Sequence, residues 1–238
     1  MMHVKYFIMG CCLGALMSCS EKATNPHQVK IVGEIKNVMR NGQLQASIDL
    51  DTIADKTHLY GLGPVEYLKG EIMVYEGKSY KSTVVSDSTM LVEETFAIKA
   101  PFFGYANVPE WVEYSLPEHV QTLKQLELYL DETTKSATRP FMFKIKGVVD
   151  SASIHIVNLP DGTKVSSHQD AHQGMVSYPI ENEACEIIGF FSKVHQTILT
   201  HHDTYLHLHL MTSDRKKMGH LDEVTFKKGG MKLYLPKE

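Results

Sequence analysis

The sequence predicts an α+β fold rich in β-structure: a mixed sheet that extends into an antiparallel β-barrel-like half, with one or two helices packed on it. Two observations support this prediction. Short segments in which apolar residues alternate with polar ones recur from Val29 onward, separated by Gly, Pro, Asn or Asp, as in strands joined by turns. Helical signals, in contrast, are confined to two segments.

The N-terminal segment is predicted to be a targeting sequence and not part of the fold. Lys5 precedes an apolar stretch from Phe7 to Met17, and the small residues that follow end at Cys19, in a pattern that resembles the lipobox of bacterial lipoproteins. Cleavage before Cys19 removes residues 1–18 and makes residues 19–30 a polar tether. We therefore expect an extracytoplasmic protein anchored to a bacterial membrane by lipid on Cys19. The alternative is an ordinary signal peptide and a secreted or periplasmic protein.

Charge and cysteine content narrow the class of protein. The formal net charge is −4, and because residues 1–18 contain only Lys5 as a charged side chain, their removal changes it to −5. Such mild acidity gives no electrostatic footprint for nucleic acid. Among the cysteines, only Cys185 lies beyond Cys19, so no intramolecular disulfide is expected. The remaining 220 residues (238 − 18) are enough to bury an ordinary hydrophobic core.

Ten segments have the length and alternation of strands, so β-structure is predicted to dominate the fold. They are Ile31 to Ile35, Gly70 to Tyr75, Lys78 to Val85, Met90 to Ile98, Phe141 to Val149, Ser153 to Asn158, Cys185 to Phe191, Tyr205 to Met211, Glu223 to Lys227 and Met231 to Leu235.

Two helices are predicted between the strands. Ser115 and Glu118 have the spacing of a capping box, and an apolar stripe of leucines and Val120 follows, so we expect a helix over about residues 117–133. A shorter helix is predicted from Leu50 to Lys56, with Asp49 or Asp51 as its cap.

Histidine alternates with an apolar residue in Tyr205-Leu206-His207-Leu208-His209-Leu210, so His207 and His209 are predicted to project from one face of a strand. The polar segment that ends at Gly219 predicts a hairpin, which returns His220 to the side of this pair. Three imidazoles leave the fourth position of a tetrahedral zinc open for water or substrate, as in catalytic sites. The alternative is a polar strand face with solvated histidines.

Glu71 is a second candidate, at the start of the strand segment Gly70 to Tyr75. The residues that follow it are apolar on both faces of the strand, so neither face is predicted to be exposed to solvent. Glu71 is then expected to point to a partly buried site. The alternative is an acid without a catalytic role.

Several of these segments together resemble the alpha-acetolactate decarboxylase family. The N-terminal ones are the glycine turn Tyr60-Gly61-Leu62-Gly63 and the pair Gly70-Glu71. Gly189-Phe190-Phe191-Ser192 is similar to the segment that leads to the family's metal site, and His207-Leu208-His209 with Gly219-His220 matches its zinc ligands in spacing. The resemblance runs from about Asp51 to Asp222.

The resemblance implies one domain over residues 31–238, with a sheet and helix part over about 31–140 and a metal-binding β part over about 141–238. It implies that His207, His209 and His220 bind Zn²⁺ and that Glu71 is the acid beside it. The implied enzyme is a carboxy-lyase that converts acetolactate, or a similar 2-hydroxy-3-oxo acid, to acetoin and CO₂. Zinc would stabilise the enediolate and Glu71 would handle the proton. The resemblance also implies a homodimer.

The chain departs from the family at two positions. His155 lies where the family has an arginine, and it is a candidate catalytic residue when protonated, or else a hydrogen-bonded strand histidine. A late glutamate of the family is not placed among the eighteen residues after His220.

The segment before the histidine strand is longer than in the family. We expect His202, or its neighbour His201, to reach the metal cavity and to replace the missing groups as a catalytic residue, with Asp203 orienting a ring. The alternative is a solvated loop. His168 and His172 lie in a polar stretch and are expected at the surface.

Two other functions are compatible with the same residues. One is a zinc hydrolase, since His-x-His with a distant histidine also binds zinc in carbonic anhydrases and cupin-like barrels. The other is a non-enzymatic, zinc-binding lipoprotein, which the missing arginine and the unplaced glutamate favour.

Overall fold

The structure of the protein is a computed structural model that describes residue 1 and residues 27–237. The signal peptide, Cys19 and most of the tether lie outside the described residues, so these predictions stay predictions, as does the homodimer. No helix in the described part is long and apolar enough to cross a membrane.

The described part is mainly β-structure. Its helices are α1 (Ile35–Met39), α2 (Leu123–Thr133) and α3 (His168–Ala171), with 3₁₀ turns at Leu50–Thr52 and Glu66–Leu68. Its strands are β1 (Lys30–Val32), β2 (Ile48–Asp49), β3 (Leu59–Pro64), β4 (Glu71–Tyr75), β5 (Lys78–Val84), β6 (Met90–Glu94), β7 (Lys99–Ala100), β8 (Phe103–Asn107), β9 (Trp111–Ser115), β10 (Phe141–Ile156), β11 (Val176–Phe191), β12 (Leu206–Thr212) and β13 (Met218–Pro236).

Two sheets form the body of the molecule, which confirms the predicted β-rich α+β class. The N-terminal sheet has the order β1-β8-β3-β4-β5-β6, and the C-terminal sheet has the order β10-β11-β12-β13-β9. All pairings between these strands are antiparallel, so the N-terminal sheet is not the mixed sheet that we expected. Short connections explain this for β3 to β6, as with Glu76-Gly77 between β4 and β5, since a parallel pair needs a crossover of a dozen residues or more.

The C-terminal sheet is partly closed, as in a barrel. β10 pairs with both β11 and β13, and β12 also pairs with both of them. β12 and β13 share three residue pairs, from His209↔His220 to Met211↔Met218, which confirms the predicted hairpin. Because this pairing is short, the barrel is closed only in part, and the candidate histidines lie where it ends.

The leucines of β12 fix which way its histidines point. Leu206, Leu208 and Leu210 are buried in the core of the C-terminal sheet, together with Phe143 and Phe191. Burying these side chains contributes roughly 1.5–3 kcal/mol each. Because side chains alternate along a strand, the same burial turns His207 and His209 to the other face, as the sequence predicted.

Several strand bounds differ from those predicted. The separate segments expected at 141–149 and 153–158 form one strand, β10, and the last two expected segments are joined in β13. The strand expected from Ile31 to Ile35 is wrong at its end, because Gly33 has a positive φ of 72° and α1 begins at Ile35. Glycine takes this conformation without steric cost, and the chain turns there.

The long helix begins six residues later than predicted, at Leu123 and not at residue 117. Ser115 belongs to β9, where it pairs with Lys232, so it cannot cap a helix. Thr122 and Gln125 form the capping box instead: Thr122 Oγ1 accepts from the Gln125 N–H at 3.3 Å, and Gln125 Oε1 accepts from the Thr122 N–H at 3.1 Å. The shorter predicted helix is the 3₁₀ turn at Leu50–Thr52, with Asp49 as its cap.

Replacing Thr122 by alanine is expected to lower the free energy of unfolding by about 1 kcal/mol, because an orphan N–H of the first turn loses its acceptor. Ser115→Ala is the matched control, and its effect is expected to stay within about 0.5 kcal/mol because Ser115 is exposed. Urea unfolding followed by circular dichroism measures both. Equal effects of the two substitutions would contradict the assigned start of α2.

Candidate metal centre and active site

The register of three neighbouring strands brings the histidines together. His220 on β13 pairs with His155 on β10 and with His209 on β12, and His207 lies two residues before His209 on the same face. Gly219 allows this close approach: a Cβ at Gly219 would lie 2.5 Å from the carbonyl oxygen of His155. Any larger residue at 219 would therefore push β13 away from β10.

Four imidazole rings form the centre of this cluster. The ring centroid of His207 lies 5.2 Å from that of His220 and 5.5 Å from that of His209, and the centroids of His209 and His220 are also 5.5 Å apart. His201 approaches from the segment before β12, with its centroid 4.8 Å from His220 and 5.3 Å from His207. Within the described part, His201, His207 and His220 form the group whose ligand atoms all lie within 4.8 Å of one another.

Hydrogen bonds orient one of these rings, His207, and the neighbouring ring of His155. His207 Nδ1 lies 2.9 Å from the carbonyl oxygen of Leu199, and since a carbonyl can only accept, Nδ1–H donates and Nε2 keeps its lone pair. His155 Nδ1 lies 2.7 Å from the carboxylate of Asp222. Metal-binding histidines are commonly held in this way, with one ring nitrogen donating to a carbonyl or carboxylate and the other free for the metal.

Burial keeps these rings in the form that binds metals. It lowers the pKa of His207 and of His220 well below the ordinary value, and neighbouring imidazoles act in the same direction. Burial likewise lowers the pKa of His209 to about 3 and that of His201 to about 4. The imidazoles are therefore neutral at pH 7, which is the state in which histidine is a metal ligand.

Glu71 reaches the same cluster from the other sheet. It begins β4 and is buried, its Oε1 accepts from the N–H of Val157 at 3.3 Å, and its Oε2 lies 3.6 Å from His209 Nε2. Burial raises the pKa of Glu71 well above the ordinary value, the Val157 N–H opposes this, and the negative charge of Asp222 adds to it. Glu71 is thus a carboxyl group beside the histidines with a raised affinity for a proton, as an acid catalyst requires.

Two cavities with several lining residues in common give a ligand access to these groups. A small cavity of about 30 Å³ is lined by Glu71, Phe102 and the rings of His207 and His220. A wider pocket of about 490 Å³ is lined by the same two histidines together with His155 and His201. The site can therefore hold a small molecule in contact with both the imidazoles and the pocket walls.

The structure brings most of the predicted site residues together. His155, the residue in the arginine's position, lies inside the cluster, with its ring centroid 4.8 Å from that of His220. His202 does not lie there: it is exposed, and its ring is 5.8 Å from that of His168. Of the two residues expected at the metal cavity, His201 is the one that lies beside the other histidines. None of these positions tests a catalytic role, so the roles stay predictions.

Sequence reasoning missed Asp222, which lines the wider pocket. Asp222 lies in a break of the β10–β13 register, between the pairs Ile154↔Leu221 and Ser153↔Glu223, and a bulge of this kind re-aims side chains. Its position two residues after His220 could have indicated that its side chain lies near the histidine cluster.

The expectation that His168 and His172 lie simply at the surface is wrong. Both rings line the wider pocket, with centroids 4.1 Å apart. Burial and the nearby ring of His172 lower the pKa of His168 to about 4, while Asp203 acts in the opposite direction. These residues face the candidate site because α3 returns the chain to it.

Fold and site together define a β-rich protein with a cluster of buried neutral histidines and a buried carboxyl group, the composition of a metal-dependent enzyme's centre. The sequence profile of the alpha-acetolactate decarboxylase family matches residues 32–236, and the chain therefore belongs to this family. Membership supports a decarboxylating, carboxy-lyase activity in general. Comparison with curated proteins gives no significant match.

Solved structures show the same fold. Alpha-acetolactate decarboxylase from Bacillus subtilis strain 168 is 17% identical, with a TM-score of 0.71 and coverage of 89% of this chain and 86% of that chain. The acetolactate decarboxylase of Bacillus subtilis subspecies spizizenii has the same identity and TM-score, with coverage of 89% and 87%. A Staphylococcus aureus protein of unknown function, described as similar to alpha-acetolactate decarboxylase, is 14% identical, with a TM-score of 0.68 and coverage of 88% and 86%.

Proposed function

We propose that this protein is a zinc-dependent decarboxylase that converts acetolactate, or a similar 2-hydroxy-3-oxo acid, to acetoin and CO₂. The observation that carries the proposal is the joint position of neutral histidines and a protonatable carboxyl group, Glu71, around one cavity. The family membership of the chain supports the type of reaction, and the two groups are those that such a reaction needs.

His207, His209 and His220 are the proposed metal ligands. They lie on two paired strands, and side chains on such rigid elements are held more precisely than those on loops. The fixed lone pair of His207 Nε2 supports the set, and so does the burial of His207 and His209. His201 lies on an irregular segment and is only partly buried, so we assign it to the wall of the pocket beside the metal. Imidazole nitrogen suits zinc among the common metals.

Zinc in this position would act as a Lewis acid on the oxygens of the hydroxy-ketone. The reaction breaks the bond between the carboxylate carbon and the hydroxyl-bearing carbon, and the electron pair of that bond passes to the former ketone oxygen. Glu71 then delivers a proton to carbon, and general acid catalysis of this kind contributes about 10²–10⁴-fold to the rate. The buried setting of Glu71 keeps that proton available near neutral pH.

The other polar groups of the site orient the substrate. Asp222 accepts from His155 Nδ1, which turns the opposite nitrogen of His155 toward its neighbours. Lys124 lines the wider pocket, with its Nζ 2.6 Å from Glu127 Oε1, and is a source of positive charge for an anionic substrate. Among the described residues, no arginine lines the wider pocket, so we assign the substrate carboxylate to Lys124.

A second function, zinc binding without decarboxylation, is favoured by the absence of the family's arginine from position 155. The two functions share the metal and differ in turnover, so one experiment separates them.

The purified full-length protein is expected to contain tightly bound zinc and to release CO₂ and acetoin from racemic acetolactate. Removal of the metal with a chelator should abolish turnover, and added zinc should restore it. Metal analysis and acetoin quantification measure the two properties independently. Bound zinc without turnover would favour the second function, whereas a protein that binds no zinc would refute the metal centre.

A further inference from the structure

A second pair of histidines lines the same pocket outside the inner cluster. His168 begins α3 and His172 follows its last residue, so the two are four positions apart and lie on one side of a helical turn. Their ring centroids are 4.1 Å apart, and both residues line the pocket of about 490 Å³. The proposed decarboxylation uses neither of them.

Each ring of this pair has a nitrogen atom that is available to a ligand. His172 Nδ1 lies 2.7 Å from the carbonyl oxygen of His168, so Nδ1–H donates to that carbonyl and Nε2 keeps a lone pair. His168 Nε2 is buried and has no hydrogen-bond partner among the described residues. A buried polar atom without a partner costs about 1–3 kcal/mol, and a bound ligand would remove that cost.

A carboxylate of the same pocket is within electrostatic reach of the pair. Asp203 lines the same pocket and acts electrostatically on His168. Two histidines at i and i+4 are a recurring ligand pair for zinc on helices, and a carboxylate is a common third ligand. Nitrogen and oxygen donors in this combination suit divalent transition metals in preference to calcium or magnesium.

We propose that His168, His172 and Asp203 bind a second divalent transition-metal ion in the outer part of the pocket. Its affinity is lower than that of the inner centre, because α3 is a short helix and the carboxylate of Asp203 is exposed. A row of rings connects the two sites: His172 lies 5.7 Å from His155, which lies 4.8 Å from His220. An ion at the outer site therefore shares the pocket with any substrate of the inner one.

Titration of the metal-free, full-length protein with Co²⁺, followed by calorimetry and visible absorbance, tests this proposal. The wild type is expected to bind two equivalents per chain with unequal affinity. The double variant H168A/H172A should bind one equivalent with the affinity of the inner site unchanged. H207A should show the reverse pattern, in which the tight equivalent is lost and the weak one is retained.

His119→Ala is the matched control, since His119 is an exposed histidine outside the pocket, and it should keep both equivalents. A second double variant, H168Q/H172Q, retains polar side chains in case the alanine variant does not fold, and circular dichroism monitors folding. A single equivalent in the wild type, lost in H207A, would overturn the outer site and leave the inner centre intact. Two equivalents in a folded double variant, or none, would also overturn the proposal.

Discussion

His207→Ala is expected to lose both tight zinc binding and acetoin formation. His207 is the most firmly oriented of the proposed ligands, because its Nδ1–H is held by the Leu199 carbonyl and its ring is buried. Even outer partners of metal ligands are worth about 10–100-fold in affinity or activity, so removal of a direct ligand should weaken zinc binding by more than about 100-fold. Competition with a chromophoric chelator measures the affinity, and acetoin release measures the activity.

The same assay separates the two candidates for the third ligand. His209→Ala should weaken zinc binding as His207→Ala does, whereas His201→Ala should leave most of the affinity in place. The opposite ranking would assign the metal to the group His201, His207 and His220, whose ligand atoms lie within 4.8 Å of one another. Unchanged zinc binding and turnover in His207→Ala would contradict the proposed centre.

Glu71→Gln is expected to lower kcat by about 10²–10⁴-fold while zinc remains bound. Glutamine has nearly the shape of glutamic acid and still accepts from the Val157 N–H, but it cannot release a proton to the enediolate carbon. The measurement is kcat for acetoin formation together with the zinc content of the same sample. A parallel loss of zinc would instead identify Glu71 as a metal ligand.

Glu93→Gln is the control for this substitution. Glu93 is an exposed acid on β6, paired with Lys81 on the surface, and its loss should leave kcat unchanged. An unchanged kcat in Glu71→Gln would exclude Glu71 as the acid and would leave the raised pKa of this group as a consequence of burial alone.

The inner histidine pair shows how far local pattern determines a site. Alternation of leucine with histidine decides that His207 and His209 share one face, because the leucines must be buried and the strand has period two. The turn before Gly219 then sets the register that returns His220 to them. These relations join residues close in sequence, and for that reason the sequence alone predicts them.

Helix α2 shows where local pattern is insufficient. Ser115 with Glu118 and Thr122 with Gln125 have the same capping spacing, and both precede apolar residues. Because β9 pairs with β13, Ser115 lies in a strand and cannot be the N-cap of α2. This pairing joins residues more than a hundred positions apart. Tertiary contacts thus override a signal that is correct in type but not in position.

What the sequence determined by itself was the β-rich class, the hairpin that carries the histidines and the importance of Glu71 as a candidate. Only the tertiary structure decided that Glu71 on one sheet lies 3.6 Å from His209 on the other, that His201 and not His202 joins the cluster, and that Asp222 holds His155. It also decided that α3 turns His168 and His172 into the pocket. Distances between elements depend on how their buried faces pack, and that packing is a property of the whole chain.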